Sequence, residues 1–230
     1  MISAVEGKKL MQENQKLYDK IAKQFADTRT FVWDDLKPFA GYVKEGNQIL
    51  DVACGSGRLY QIFAKNQVQY TGVDFSKELI EIAKEENPEC TFFVRDMTDL
   101  RLPRESFDVV FCIAALQHLP NEDFRLQALR QMKEVVKTDG LVILLNWNLY
   151  SHWAKDKYHR FEFQKQEFMI PWRTGGGEEI GRRYYHGFLP EELEKLFEIS
   201  GLGVQMQYFT KKGELSDQER GENIVSILRG

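Results

Sequence analysis

Asp51 precedes a turn of small residues, Ala53-Cys54-Gly55-Ser56-Gly57, while Asp74 and Asp96 each close a short apolar run. Glycines at such a turn let the backbone approach a ligand closely, at the carboxyl edge of a sheet where α/β folds bind small molecules. A carboxylate at the position of Asp74 can accept both hydroxyls of a ribose. Asp96 is placed for an adenine amino group, with Met97 packed on the adenine face, and Asp51 can help hold a cationic end of the same ligand. The turn alone is a weak signal, since a tight strand-to-helix connection needs small residues with no ligand present. Three acids at three successive strand ends beside it make a nucleoside-like ligand the better reading.

Nicotinamide dinucleotides are the main rival. They favour a full GxGxxG turn that seats a pyrophosphate on a helix N-terminus, whereas Ala53 here replaces the first glycine. An acidic lining suits a ligand without phosphate that carries a sulfonium and an ammonium, which points to S-adenosyl-L-methionine. Methyl transfer from a sulfonium is an in-line displacement, so the nucleophile must be held ~3 Å from the methyl carbon. A carboxylate acceptor is already ionised near neutral pH and needs no general base, only a cationic or hydrogen-bonding clamp. Arg29, Arg182, Arg183, Tyr185 and His186 are candidates for that clamp, and Tyr18 for closing over the cofactor. Arg29 has an alternative as an ion-pair partner of Asp27 or Asp34. His118, after the fourth strand, falls near the expected methyl position or is a satisfied loop histidine. Trp147 reads as core packing, Trp172 as packing or a base platform, and Cys54 as a small filler rather than a nucleophile.

The elements that must position these groups follow from periodicity. Leu17, Tyr18, Ile21, Ala22 and Phe25 repeat at helical spacing within residues 10–26 and predict an amphipathic helix. Strands are predicted at about 48–53, 70–74, 91–95, 108–113 and 141–147, with helices at about 57–65, 76–86, 121–137 and 190–200. Ser76 serves as an N-cap, Pro190 suits a first helical turn, and Gly201 is a C-terminal stop. Alternating strands and helices call for a parallel sheet with right-handed crossovers. Two further strands, about 203–210 and 223–228, have only a short polar link and predict an antiparallel hairpin at a sheet edge. The expected fold is α/β and Rossmann-like, a mostly parallel seven-stranded sheet with helices on both faces.

One domain is expected over residues 1–230: an N-terminal helical cover (1–45), a cofactor-binding core (46–148), a substrate-side insertion (149–188), and a last helix with edge strands (189–230). The insertion breaks the βα rhythm, and so long a segment is more often a lid than a connection. It holds seven Lys/Arg against five Asp/Glu and three of the four histidines, within a chain of net charge −4. That balance argues against a broad polyanion-binding surface but leaves room for a local basic patch. No apolar run approaches the ~20 residues of a membrane span, and three scattered cysteines form neither a disulfide framework nor a metal site, so a cytoplasmic protein without metal is expected.

Residues 51–57, 73–76, 95–97, 107–110 and 113–119 resemble successive motifs of the class I S-adenosylmethionine-dependent methyltransferases, and the likeness spans about residues 45–148. It implies cofactor contacts from Asp51, Ala53, Cys54, Gly55, Gly57, Asp74, Phe75, Asp96, Met97 and Ile113. Outside that core, residues 18–29 with Trp33 resemble the entry segment of the tRNA wobble-uridine carboxymethyl methyltransferases. Arg183-Tyr184-Tyr185-His186, followed by Glu192-Leu193, is similar to a late segment of the same family. The resemblance implies esterification of 5-carboxymethyluridine in tRNA and, in eukaryotic relatives, a small activator subunit; Tyr18, Arg29, His118, Arg183 and His186 are the residues expected at the reacting centre. Gln117-His118 stands where that family has two histidines. A small-molecule acid methyltransferase and an inactive cofactor-binding regulatory subunit are the competing functions.

Overall fold

The computed structural model describes residues 2–29 and 31–230. Helix α1 (Ala4–Asp27) opens on a capping box, in which the Ser3 side chain accepts from Glu6 N–H and Glu6 returns a bond to Ser3. Its apolar stripe of Leu17, Tyr18, Ile21 and Ala22 packs on Leu79, Phe75 and Trp172. The stripe therefore covers the edge of the sheet at which ligands bind.

The main sheet contains β1 (Gln48–Val52), β2 (Gln69–Asp74), β3 (Thr91–Val94), β4 (Phe107–Ile113), β5 (Val136–Trp147), β9 (Gly203–Lys211), β10 (Glu214–Ser216) and β11 (Asn223–Arg229). Their spatial order is β10-β9-β11-β5-β4-β1-β2-β3. Strands β1 to β5 pair in parallel, while β11 runs antiparallel between β5 and β9. The predicted hairpin is present, Asn223 opposing Thr210. Its polar link contributes a short outer strand, Glu214–Ser216, so the sheet has eight strands rather than seven.

Side chains alternate between two buried faces. Leu50, Val52, Val110 and Leu144 face α3 (Glu122–Val135) and α5 (Pro190–Ser200), whereas Ile49, Val109, Phe111, Ile143 and Leu145 face Phe39, Phe63 and α2 (Lys77–Glu86). Covered on both sides, these strands read as continuous apolar runs. Ser76 caps α2 by accepting from Leu79 N–H, and Gly201 ends α5 at φ +77°.

One segment departs from expectation. Residues 57–65 form 3₁₀ turns instead of an α-helix, with Phe63 N–H bonded to Tyr60 O and Asn66 N–H to Phe63 O. Residues 149–188 are a folded unit. They comprise α4 (His152–Tyr158) and an antiparallel sheet of β6 (Glu162–Gln164), β7 (Glu167–Arg173) and β8 (Glu179–His186). Among the described residues, no helix is long and apolar enough to cross a membrane, and no group of His, Cys, Asp or Glu has the arrangement to hold a metal ion.

Candidate functional site

The carboxyl ends of β1, β2, β3 and β4 open into one cavity roofed by α1 and β8. Asp51, Ala53, Cys54 and Gly55 line it from β1 and the following turn, and Asp74 and Phe75 from β2. Asp96 and Met97 follow β3, and Ile113 ends β4. The turn is bent by left-handed residues at Ala53 (φ +60°), Gly55 (φ +58°) and Gly57 (φ +76°). Glycine adopts this backbone freely, whereas alanine is strained by roughly 1–2 kcal/mol there. Ala114, after the neighbouring β4, lines the same cavity at φ +52°. Gly57 does not line the cavity; it shapes the turn from behind.

The floor is acidic. Asp74 accepts from Gly55 N–H and from Ser76 N–H, both at 2.9 Å, so the turn and the carboxylate hold each other. Burial pushes Asp74 up to about 6, against the pull of those two backbone donors. Asp51 accepts from Tyr70 OH at 2.5 Å. Burial lifts it to about 7, opposed by the Tyr70 bond and reinforced by the charge of Asp74. In both acids burial is the main cause of the upward shift. Asp96 spends Oδ1 on Thr98 N–H and Oγ1, which leaves Oδ2 for a ligand.

The roof is basic and aromatic. Arg183 Nη1 donates to Tyr18 OH at 3.1 Å, and Tyr18 OH lies 3.0 Å from His118 Nε2. His118 Nδ1 is 2.8 Å from Tyr184 O, a carbonyl that can only accept. His118 therefore carries its proton on Nδ1, and Tyr18 donates to Nε2. Burial first, with Arg183 assisting, holds His118 down to about 3, so it is neutral at physiological pH. Asn14, which the sequence reading did not single out, fastens the roof: its Oδ1 accepts from Tyr184 N–H at 2.8 Å and its Nδ2 donates to Tyr184 O at 3.2 Å.

Among the described residues Arg183, 5% exposed, has no carboxylate partner and leaves Nε without a hydrogen bond. Arg29 does not pair with Asp27 or Asp34. It lies 3.8 Å over the Phe25 ring and 5.2 Å from Trp172, facing the cavity, while Asp34 pairs with Lys37. Arg58, next to the glycine turn and also overlooked, and Arg95 line the same cavity, and neither has an ion-pair partner among the described residues; burial and the charge of Arg29 lower Arg58 to about 10.

His186 stands apart. Along β8 alternate residues face opposite sides, so Arg183 and Tyr185 line the cavity while Tyr184 and His186 turn away. His186 Nε2 is 2.8 Å from Glu192 and Nδ1 is 3.2 Å from Glu167. Arg125 joins Glu192 at 3.3 Å, and Tyr184 OH donates to Glu167. This buried network ties β7 and β8 to α3 and α5, a structural arrangement outside the cavity.

Residues 49–140 match the family model of a methyltransferase domain. A tRNA (carboxymethyluridine(34)-5-O)-methyltransferase of Schizosaccharomyces pombe is 30% identical over 207 residues, covering 88% of this chain and 84% of that protein. The chain spans 33 to 38% of the length of several longer curated relatives. Among solved structures, an S-adenosylmethionine-dependent methyltransferase of Methanosarcina mazei aligns with a TM-score of 0.69 at 20% identity, over 84% of this chain and 96% of that one. A methyltransferase in complex with the Trm112 methyltransferase activator of Haloferax volcanii aligns at 0.66 and 16% identity, over 92% and 96%. The two structures share the fold; the fission-yeast protein, matched over most of both chains, shows kinship. This chain belongs to the tRNA carboxymethyluridine methyltransferase family, within the class I S-adenosylmethionine-dependent methyltransferases.

Proposed function

We propose that the protein methylates the carboxylate of 5-carboxymethyluridine in tRNA. The observation that carries this reading is Arg183, a guanidinium buried at the cavity roof with no carboxylate partner among the described residues. A buried cation in that state calls for an anionic ligand, and a planar guanidinium matches a carboxylate.

S-adenosylmethionine, when bound, supplies the electrophilic methyl group. Asp74 accepts its ribose hydroxyls, Asp96 its adenine amino group with Met97 on the ring face, and Asp51 its ammonium. Arg58 and Arg29 are the cations available to its carboxylate. Arg183 then orients the acceptor carboxylate, and Tyr18, held between Arg183 and His118, closes over the reacting centre. No proton needs removing from an ionised acceptor. A histidine held near 3 agrees with that, acting as a fixed acceptor for Tyr18 rather than as a base. A small activator subunit and a cytoplasmic site of action belong to the same reading, supported by the Haloferax volcanii complex and by the tRNA methyltransferase relatives.

The test is transfer of radiolabelled methyl from S-adenosylmethionine into bulk tRNA and into a small-metabolite extract, with Asp74→Ala protein as control. Base-labile label in tRNA is the expected result, because a methyl ester hydrolyses in alkali. Label confined to small acids would sink the RNA assignment and leave a metabolite methyltransferase.

A further inference from the structure

A chain of aromatic rings leads out of the cavity. His118 and Tyr185 have centroids 4.4 Å apart, Tyr185 and Trp147 stack at 5.2 Å, Trp147 and Tyr158 stack at 6.0 Å, and Tyr158 meets Trp153 edge-on at 5.5 Å. The first three line the cavity, whereas Trp153, on α4, is 43% exposed. Burial in a core accounts for the inner rings. It does not account for Trp153, whose outer surface lines a separate surface groove.

That groove lies between α4 and the segment joining β9 to β11. Its apolar lining is Trp153 and Leu215, the latter 78% exposed, and Lys211, Lys212 and Arg220 flank them. Carboxylates are present too: Lys211 pairs with Glu222 at 2.9 Å, Arg220 approaches Asp217 at 3.8 Å, Glu219 approaches His152 at 3.8 Å, and Glu214 borders the groove. Lys212, and Lys155 and Lys157 of α4, have no ion-pair partner among the described residues, and Lys157 Nζ sits 4.6 Å from the Trp153 centroid. The walls are held rigidly. Asn148 Nδ2 donates to Gln218 O at 2.7 Å and to Gly221 O at 2.8 Å, and His152 N–H donates to Glu219 O at 2.7 Å.

An exposed tryptophan flanked by unpaired lysines has the chemistry of a single-stranded nucleic acid subsite: the ring stacks on a base and the cations take phosphates. In a chain of net charge −4 such a patch is local, so it fits a short stretch of strand rather than a duplex. Resting on the tRNA reading above, we propose that the Trp153 groove binds an unpaired nucleotide flanking the modified uridine while that uridine occupies the cavity at the other end of the aromatic chain.

The experiment measures binding of a synthetic anticodon stem-loop bearing 5-carboxymethyluridine by fluorescence anisotropy, independently of turnover. Trp153→Ala is expected to weaken binding about tenfold, the loss of one stacked base, and Trp153→Phe to recover most of it. Lys212→Ala with Lys157→Ala should weaken binding and flatten its salt dependence. Affinity for S-adenosylmethionine and methylation of the free nucleoside, which is too short to reach the groove, are retained if the fold is intact. Wild-type binding by Trp153→Ala and by the lysine pair would overturn the groove, including in favour of a protein partner there. A wild-type protein that binds the stem-loop through Trp153 yet methylates neither stem-loop nor nucleoside would instead remove the proposed activity and keep the groove.

Discussion

The floor and the roof of the cavity are built in opposite ways. Asp51, Asp74 and Asp96 occupy strand ends that adjoin one another in the sheet, and the bonds that hold Asp74 come from Gly55 and Ser76, within its own βα unit and the one beside it. The roof joins distant parts of the chain: Tyr18 meets Arg183 across 165 residues and His118 across 100, and Asn14 meets Tyr184 across 170. Charge follows the division in part, with Asp51, Asp74 and Asp96 below and Arg29 and Arg183 above, although Arg58 and Arg95 lie beside the floor. A cationic cofactor and an anionic acceptor can thus be recognised by separate parts of one cavity, and mutations should separate them.

The largest expected effect is in the roof. Arg183→Ala should lower turnover on a carboxylate acceptor about 100-fold, because the acceptor loses its alignment with the methyl group. Cofactor affinity by calorimetry should stay near wild type; equal losses in both would erase the distinction between floor and roof. Asp74→Ala should act the other way. It should weaken S-adenosylmethionine binding by about 1–3 kcal/mol by leaving ribose hydroxyls unpaired and freeing the Gly55 turn. Unchanged affinity would remove Asp74 from the site.

His186→Ala sharpens the comparison by striking behind the roof. With its central partner gone, Glu167 and Glu192 are left facing each other in a buried place, and stability should fall by about 1–3 kcal/mol in urea denaturation. Activity per folded molecule should be kept, whereas a selective loss of turnover would return His186 to the reacting centre.

The smallest effect is pH. Asp51 and Asp74 have folded-state values raised to about 7 and about 6, so the free protein binds protons more tightly than its unfolded chain. Stability of the free protein from this pair is fullest below their ordinary carboxylate range and declines as pH rises towards about 7. Cationic ligand binding runs the opposite way, since both acids must be ionised, with Tyr70 and Arg58 facing Asp51 and the Gly55 and Ser76 amides facing Asp74. S-adenosylmethionine affinity should therefore rise severalfold from about pH 5.5 to about pH 8, and S-adenosylhomocysteine, which keeps the ammonium that Asp51 meets and the ribose that Asp74 meets, should follow the same profile. A flat profile would show that Asp51 does not meet the ammonium.

The Ala53 position illustrates how sequence and structure divide the account. Its replacement of a glycine is visible in the sequence, but its left-handed φ of +60° appears only in the fold, as it does for Ala114. Replacing Ala53 by glycine would release that strain while removing a methyl group packed against the core. The same holds for β8. Arg183 and His186 are neighbours in one quoted segment, yet strand alternation sends one into the cavity and the other into a carboxylate network.

By itself the sequence determined the alternation of strands and helices, the glycine turn, the three acids and hence the cofactor class. Each of these rests on local patterns: periodicity, caps, and residues fixed at the end of a strand by the element that contains them. Only the tertiary structure decided which arginines lack partners, the tautomer of His118, the clamp made by Asn14, and the folding of residues 149–188 into a helix and a small sheet. Those features depend on which segments pair in space, up to 170 residues apart for Asn14 and Tyr184, and on which side of a strand each residue faces, and no local spacing encodes either one.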